Sequence, residues 1–460
     1  MRVQTLLIAA SLTVVSAVSR GTETAPEPLQ RFYEEALAHS PSYEQLVDLV
    51  NRYPGRLAGS QAMDGAMKWA EETLRKTGCN DVRVQPVAVP SWERGGPESV
   101  GLVGVGGAPF EPLAAVGLGW SVATPETGLQ AEVVEVQSLQ ELEKLGRAAV
   151  EGKIVFFNRP MPRTIVDPSA AYRRTSDQRN RGPAAAARLG AVGALTRSLT
   201  QSTDDVPHAG YTGFPAGGPK IPAAALSVIA ADHLSAALRQ DPHRPVRMTL
   251  HGRWVGDRPS GNVIAEIRGS EFPDEVIVVG AHLDCWDTSP GAHDNGAGVV
   301  QAIEVMRLFR ALGIRPRHTL RCVLFVAEEN SLAGGNEYAR VAKEKKEKHV
   351  FAIESDSGGF GCRAFALSNK SFPAHERAAR WSSRFAPFGV VSFTNVGAGG
   401  DIEPLEELGV TIAEIRPESA RYFDYHHTPI DTADKVNPRE LELGAAAMAS
   451  LVWLVDSEGL

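Results

Sequence analysis

Cysteine is scarce in this chain: four residues in 460, at Cys79, Cys285, Cys322 and Cys362. That is too few for a scaffold built on disulfides, and none stands in a CxxC pair of the kind that holds a structural zinc. Positive charge is also in short supply, with 47 Lys and Arg against 55 Asp and Glu and a formal net charge of -8. An acidic balance argues against nucleic acid as a partner, because phosphate binding needs a basic surface. The one dense basic run, Lys343 to Lys348, is interleaved with glutamates and reads as the solvated face of a helix. Long hydrophobic runs are nearly absent. The single candidate, Leu6 to Val15, falls short of the roughly 20 apolar residues that span a bilayer.

That run has another reading. Arg2 supplies a short positive region before it, and the small residues Ala17 and Ser19 follow it. Together these are the three parts of a secretory signal peptide over residues 1–19. The expectation is a secreted or periplasmic protein whose mature form has no membrane span.

What is abundant is ordinary globular material, 43% hydrophobic and 22% charged, in a chain long enough for more than one domain. Ala62, Ala66, Trp69, Ala70 and Leu74 recur at helical spacing over Gln61 to Thr77, and Gly78 stops the helix. A block over 112–250 follows with its own short strands and an alanine-rich helix, carried by GKIVF, AAARLGAVGAL and IPAAALSV. These segments resemble a protease-associated domain, inserted after an N-terminal part of the main domain at 20–111. From 251 to 460 apolar strands alternate with helices, and VIVVG at Val276 to Gly280 has the unbroken apolar run of a strand buried on both faces. The fold class expected is α/β, a mostly parallel mixed sheet flanked by helices, with a smaller β-rich α/β insert. Ligands in such sheets sit beyond the carboxyl ends of the strands.

The ionisable residues cluster at those ends. AHLDCWD carries His282 and Asp284, GAHDNGAG carries His293 and Asp294, and AEEN carries Glu328 and Glu329. IESDSGG adds Glu354 and Asp356, and YHHTPIDT adds His426, His427 and Asp431. Unpaired charges at the ends of buried strands are costly, so this density points to metal or catalysis. Imidazole together with carboxylate suits zinc, whereas an all-oxygen set suits magnesium or calcium. Two histidines with three carboxylates exceed one tetrahedral ion and fit two ions that share a carboxylate. The adjacent Glu328 and Glu329 can divide the work, one on metal and the other handling protons.

The ordered series HLD, GAHDNGAG, AEEN, ESD, HHTPIDT resembles the co-catalytic zinc aminopeptidase family, in its branch with an inserted protease-associated domain. The resemblance implies two zinc ions per chain: His282 and Asp356 on one, Glu329 and His427 on the other, Asp294 bridging. It implies Glu328 as general base for a metal-bridged hydroxide, Asp284 as the group orienting His282, a cis Asp294–Asn295 peptide, and a homodimer. Many relatives have aspartate where this chain has Asn295. Alignment to the family pattern prefers Asp294 over His293 and His427 over His426, leaving His426 to line the substrate pocket. Asp401 in GAGGD is either a substrate contact or a turn former. Ser60 either touches substrate or caps the Gln61 helix, and Arg56 either touches substrate or is solvated. Cys285 and Trp286 are expected as wall residues.

The function expected is hydrolysis of dipeptides or short peptides with a free amino terminus. Two alternatives are a glutaminyl-cyclase-like acyltransferase, which shares the fold but uses one zinc, and a binding protein without metal.

Overall fold

Alternate residues of the VIVVG run belong to different cores. Ile277, Val279 and Ala281 pack on one face of their strand, while Val276 and Val278 pack on the other. Both faces are buried, so the run needs no polar positions. This is the central strand of an eight-stranded sheet in a computed structural model, which describes residues 27–460 except 105, 107, 371 and 396–398. The expected signal segment lies outside the described residues.

In chain order the sheet's strands are β1 (Asn80–Glu93), β2 (Arg253–Ile267), β3 (Phe272–His282), β4 (His318–Phe325), β5 (Lys348–Glu354), β6 (Cys362–Ser368), β7 (Ser392–Thr394) and β8 (Thr411–Pro417). Across the sheet they run β1-β2-β4-β3-β5-β8-β6-β7. The middle four, β4-β3-β5-β8, are parallel, and antiparallel pairs flank them at β1-β2-β4 and β8-β6. This is the α/β architecture expected, with sharper limits. Strand β1 carries two prolines, Pro86 and Pro90. It is an edge strand, where a missing N–H breaks no ladder on the solvent side.

Helices cover both faces. On one side α1 (Pro28–His39), α2 (Ala297–Ala311) and α3 (Pro438–Glu458) pack with the larger apolar core. Asn437 caps α3 by accepting from the amides of Arg439 and Glu440, and Pro438 opens the helix. On the other side Tyr338 and Ala339 of the Ala333–Lys345 helix pack on Val276, Val278 and Val323. The Gln61 helix is present as Gln61–Lys76, and Ser60 caps it by accepting from the Met63 amide.

Between β1 and β2 stand two smaller sheets. One has four antiparallel strands, with Ser99–Leu102 and Val246–Thr249 paired at its centre. The other has five, ordered Ala115–Gly117, Ala223–Leu226, Gly193–Arg197, Ile154–Phe157 and Val133–Val136, the last four parallel. All four cysteines are free. Among the described residues no helix is long and apolar enough to cross a membrane.

Candidate metal centre

Every sequence cluster lies at the carboxyl end of the parallel strands. His282 is the last residue of β3, and Asp356 comes two residues after β5. Glu328 and Glu329 do not end a strand as expected. β4 stops at Phe325, Ala327 turns left-handed at φ 65°, and Glu328–Ser331 forms one helical turn. The two glutamates diverge by about 100°, as helix neighbours do, and not by strand alternation. His426 and His427 follow β8 and the short helix Tyr422–Tyr425.

Asp294 sits in an irregular turn, Ala292–Gly296, that leads into α2. The Asp431 carboxylate braces this turn by accepting the amides of His293 at 2.7 Å and Asp294 at 3.0 Å. The Asp294–Asn295 peptide is cis. Asn295 donates from Nδ2 to the Ser355 carbonyl at 2.8 Å and accepts the Gly298 amide on Oδ1 at 3.1 Å. A carboxylate could not make the first bond, so asparagine suits this turn's tie to the Asp356 loop.

These elements bring the ligand-type atoms together. Asp356 Oδ1 is 3.0 Å and Asp294 Oδ1 is 3.4 Å from His282 Nε2. On the other side of Asp294, Oδ2 is 3.3 Å from His427 Nε2, which is itself 3.0 Å from Glu329 Oε2. Asp294 therefore touches two groups, each able to hold a cation: His282 with Asp356, and the adjoining histidines. Burial opposes charging of His282, but Asp356 foremost outweighs it and holds the imidazole pKa well above its ordinary value. His427 is pushed up to about 9, with Glu329 and Asp294 overcoming its burial. Burial and the charge of Asp294 raise Glu329 to about 7. Asp294 itself is held well below the carboxylate range despite burial, by hydrogen bonds from His282 and His427.

The neighbours are placed as follows. The Asp284 backbone carbonyl is 3.1 Å from His282 Nδ1, nearer than its carboxylate at 3.7 Å. That carboxylate instead accepts the Glu328 amide at 3.2 Å, so Asp284 touches both residues. His426 Nε2 is 3.7 Å from Asp294 Oδ2, and its ring stacks on His427 at 3.5 Å. His293 turns away: Nδ1 accepts the Gly359 amide and the ring stacks on Phe360. Asp401 is buried, accepts the Gly335 amide at 3.2 Å, and lies off the cavity wall that includes Gly400. Cys285 and Trp286 are buried, and the Trp286 ring packs 5.7 Å from that of His427. The cavity over the centre holds about 470 Å³. Tyr172, Arg173, Arg179 and Tyr211, from the segment between β1 and β2, line it together with Glu328, Glu329 and His427.

Arg56 is neither solvated nor at the substrate wall. It is fully buried and donates to the carbonyls of Leu283 at 2.6 Å, Pro290 at 2.6 Å and Gly291 at 2.9 Å. It thus ties down the loop between His282 and Asp294. Its partners lie more than two hundred residues away, so no local pattern marks them.

Comparison with known proteins agrees with this arrangement. Residues 262–452 match the model of peptidase family M28. Carboxypeptidase Q of Bos taurus is 33% identical over 91% of this chain and 86% of its own length. The crystal structure of a peptidase M28 precursor from Shewanella amazonensis SB2B superposes with a TM-score of 0.88 at 35% identity, covering 94% of this chain and 96% of that one. An aminopeptidase from Aneurinibacillus sp. strain AM-1 shares the fold at 21% identity and a TM-score of 0.62, over 93% and 95% of the two chains. Identity of this extent, over a site built from the five expected clusters, means that the chain belongs to peptidase family M28 and is a metallopeptidase.

Proposed function

We propose that this metallopeptidase is a zinc-dependent exopeptidase that cleaves dipeptides or short peptides bearing a free amino terminus. The observation that carries the reading is Asp294 shared between two donor groups. The donors fit a pair of cations. Glu329 Oε1 is buried without a hydrogen-bond partner among the described residues, and Asp294 Oδ2 meets only the imidazole nitrogens of His427 at 3.3 Å and His426 at 3.7 Å, an arrangement that a cation would complete. Mixed imidazole and carboxylate donors favour zinc. His282 and Asp356 would hold one ion, Glu329 and His427 the other, and Asp294 both. Bound there, the ions supply Lewis acidity toward the scissile carbonyl and make water acidic near neutral pH.

The chain's own residues do the rest. Glu328 reaches the cavity beside the donors, where its carboxylate takes the proton of the attacking water and returns it to the leaving amine. The Asp284 carboxylate holds the Glu328 backbone, and its carbonyl fixes the His282 ring. His426 lines the cavity wall. Residues 112–250 act as the protease-associated insert that roofs the site. The mature protein is secreted or periplasmic and works as a homodimer.

Elemental analysis of purified protein, with a screen of free and N-acetylated dipeptides and a peptide with N-terminal glutamine, tests the reading. Two zinc ions per chain and preference for free amino termini are expected. One zinc at full activity, with cyclisation of the glutamine peptide outrunning hydrolysis, would overturn it in favour of the acyltransferase.

A further inference from the structure

His427 has an awkward backbone. Its φ is 64°, in the left-handed region that residues with a Cβ seldom occupy, so its surroundings must hold it there. The holding groups come from residues 208–209, between the strands Gly193–Arg197 and Ala223–Leu226 of the inserted five-stranded sheet. The Ala209 amide donates to the His427 carbonyl at 3.0 Å. His208 Nδ1 lies 2.8 Å from the His426 carbonyl, and His427 Nδ1 lies 3.3 Å from the Ala209 carbonyl. A carbonyl only accepts, so both Nδ1 atoms carry the hydrogen. Burial pushes His208 down to about 4, which keeps it neutral and in this tautomer. For His427 the consequence is sharper. With Nδ1 engaged by the carbonyl, Nε2 is the ring atom directed at Glu329 and Asp294, and it is the one that can take a cation when its own proton leaves. The Ala209 carbonyl is itself braced by Arg179 Nη1 at 3.3 Å, and Arg179 reaches on to the Tyr172 hydroxyl.

We propose that His208 and Ala209 are positioning residues for His427, so that the insert fixes the imidazole holding one of the two metals. The inference rests on the reading of His427 as a ligand. It separates the two ions: loosening the insert's grip weakens the ion on His427 and Glu329 and spares the one on His282 and Asp356.

The test titrates metal-free, full-length protein with zinc against a competing chelator, for wild type, His208→Phe, His208→Asn, Arg179→Met and His427→Ala. Far-UV spectra and melting of the metal-free forms check folding. His208→Phe removes the donor, and its second zinc is expected to bind about 10–100-fold more weakly, as when other partners of metal-bound histidines are lost. Asparagine places an N–H where Nδ1 stands and is expected to restore most of that affinity. At saturating zinc, kcat falls more than KM rises. Unchanged affinity for both ions in His208→Phe overturns the proposal, and so does equal weakening of both. If His208→Phe does not fold, Arg179→Met tests the same grip through the Ala209 carbonyl that holds His427 Nδ1, and wild-type affinity there overturns the proposal. His427→Ala separates the two readings. Should it keep both ions tightly, the ligand assignment fails; should it lose one while the clamp variants are silent, the ligand assignment stands and only the positioning role falls.

Discussion

Exchanging each of the adjacent glutamates for glutamine isolates the proton step from metal binding. Glu329 Oε2 is 3.0 Å from His427 Nε2, inside the donor group. The Glu328 carboxylate has no hydrogen bond or ion pair among the described residues, although its amide is anchored on Asp284. Burial, reinforced by Asp356, Glu329 and Asp401 and opposed by His282, raises the Glu328 pKa well above its ordinary value. Nearby cations would reverse part of that shift and leave the carboxylate free to take a proton. Glu328→Gln keeps volume and loses only that capacity. It should retain both zinc ions, while kcat falls about 10²–10⁴-fold. At roughly 1.36 kcal/mol per tenfold, that is about 2.7–5.4 kcal/mol in the barrier. The loss should fall on kcat with little change in KM, because the proton moves only in the transition state. Glu329→Gln removes an anionic donor and should lower zinc occupancy as well as rate. Zinc content by elemental analysis and steady-state kinetics on one dipeptide decide the matter. Zinc lost from Glu328→Gln but kept by Glu329→Gln would reverse the roles, and full activity in both would refute the mechanism.

Three further outcomes follow from other contacts. Arg56→Met leaves the carbonyls of Leu283, Pro290 and Gly291 buried without a donor, at about 1–3 kcal/mol each, so denaturant unfolding should show a loss of about 3 kcal/mol or more. The exposed Arg52→Ala should leave the unfolding midpoint essentially unchanged in the same assay. Gly119→Ala would set a Cβ 2.2 Å from the Trp286 ring, so stability should fall by about 1–3 kcal/mol, and kcat should drop because that ring packs on His427. Intact-mass measurement of protein exported by its own host should show a chain beginning near residue 20, and retained Met1 would count against export.

The chemistry was legible in the sequence because few residue types can perform it and they lie in short runs. HDN, EEN, ESD and HHT supply residues that line one cavity, and His282 of HLD touches Asp294 and Asp356 there. Longer-range supports were not legible. Arg56 reaches carbonyls 227 to 235 positions away, and His208 reaches the His426 carbonyl across 218. Backbone acceptors carry no residue identity, so nothing in the one-dimensional pattern marks such partners. The same holds for Ala327, whose left-handed φ sets the turn that separates Glu328 from Glu329 while alanine gives no sign of it. Strand β1 is hard to read for the opposite reason: prolines argue against a strand, and only its edge position tolerates them.

The insert's point of attachment explains how so large a block can take part in the site without disturbing the sheet. β1 and β2 are an antiparallel pair, and Glu93 at the end of one faces Arg253 at the start of the other. Their side chains pair at 2.7 Å. The ends of the insert are therefore already adjacent, and a longer connection adds only a slowly growing entropic cost to closing the hairpin. From that base the block returns to the peptidase sheet at a second place, where Ala209 meets His427 and Gly119 packs on Trp286. Two attachments restrain a body more than one does, and the same block supplies Tyr172 and Arg173 to the cavity lining. Under the proposed roles, loosening either attachment should move that lining and His427 together, which would make the insert part of the active centre's framework and more than a cover laid over it.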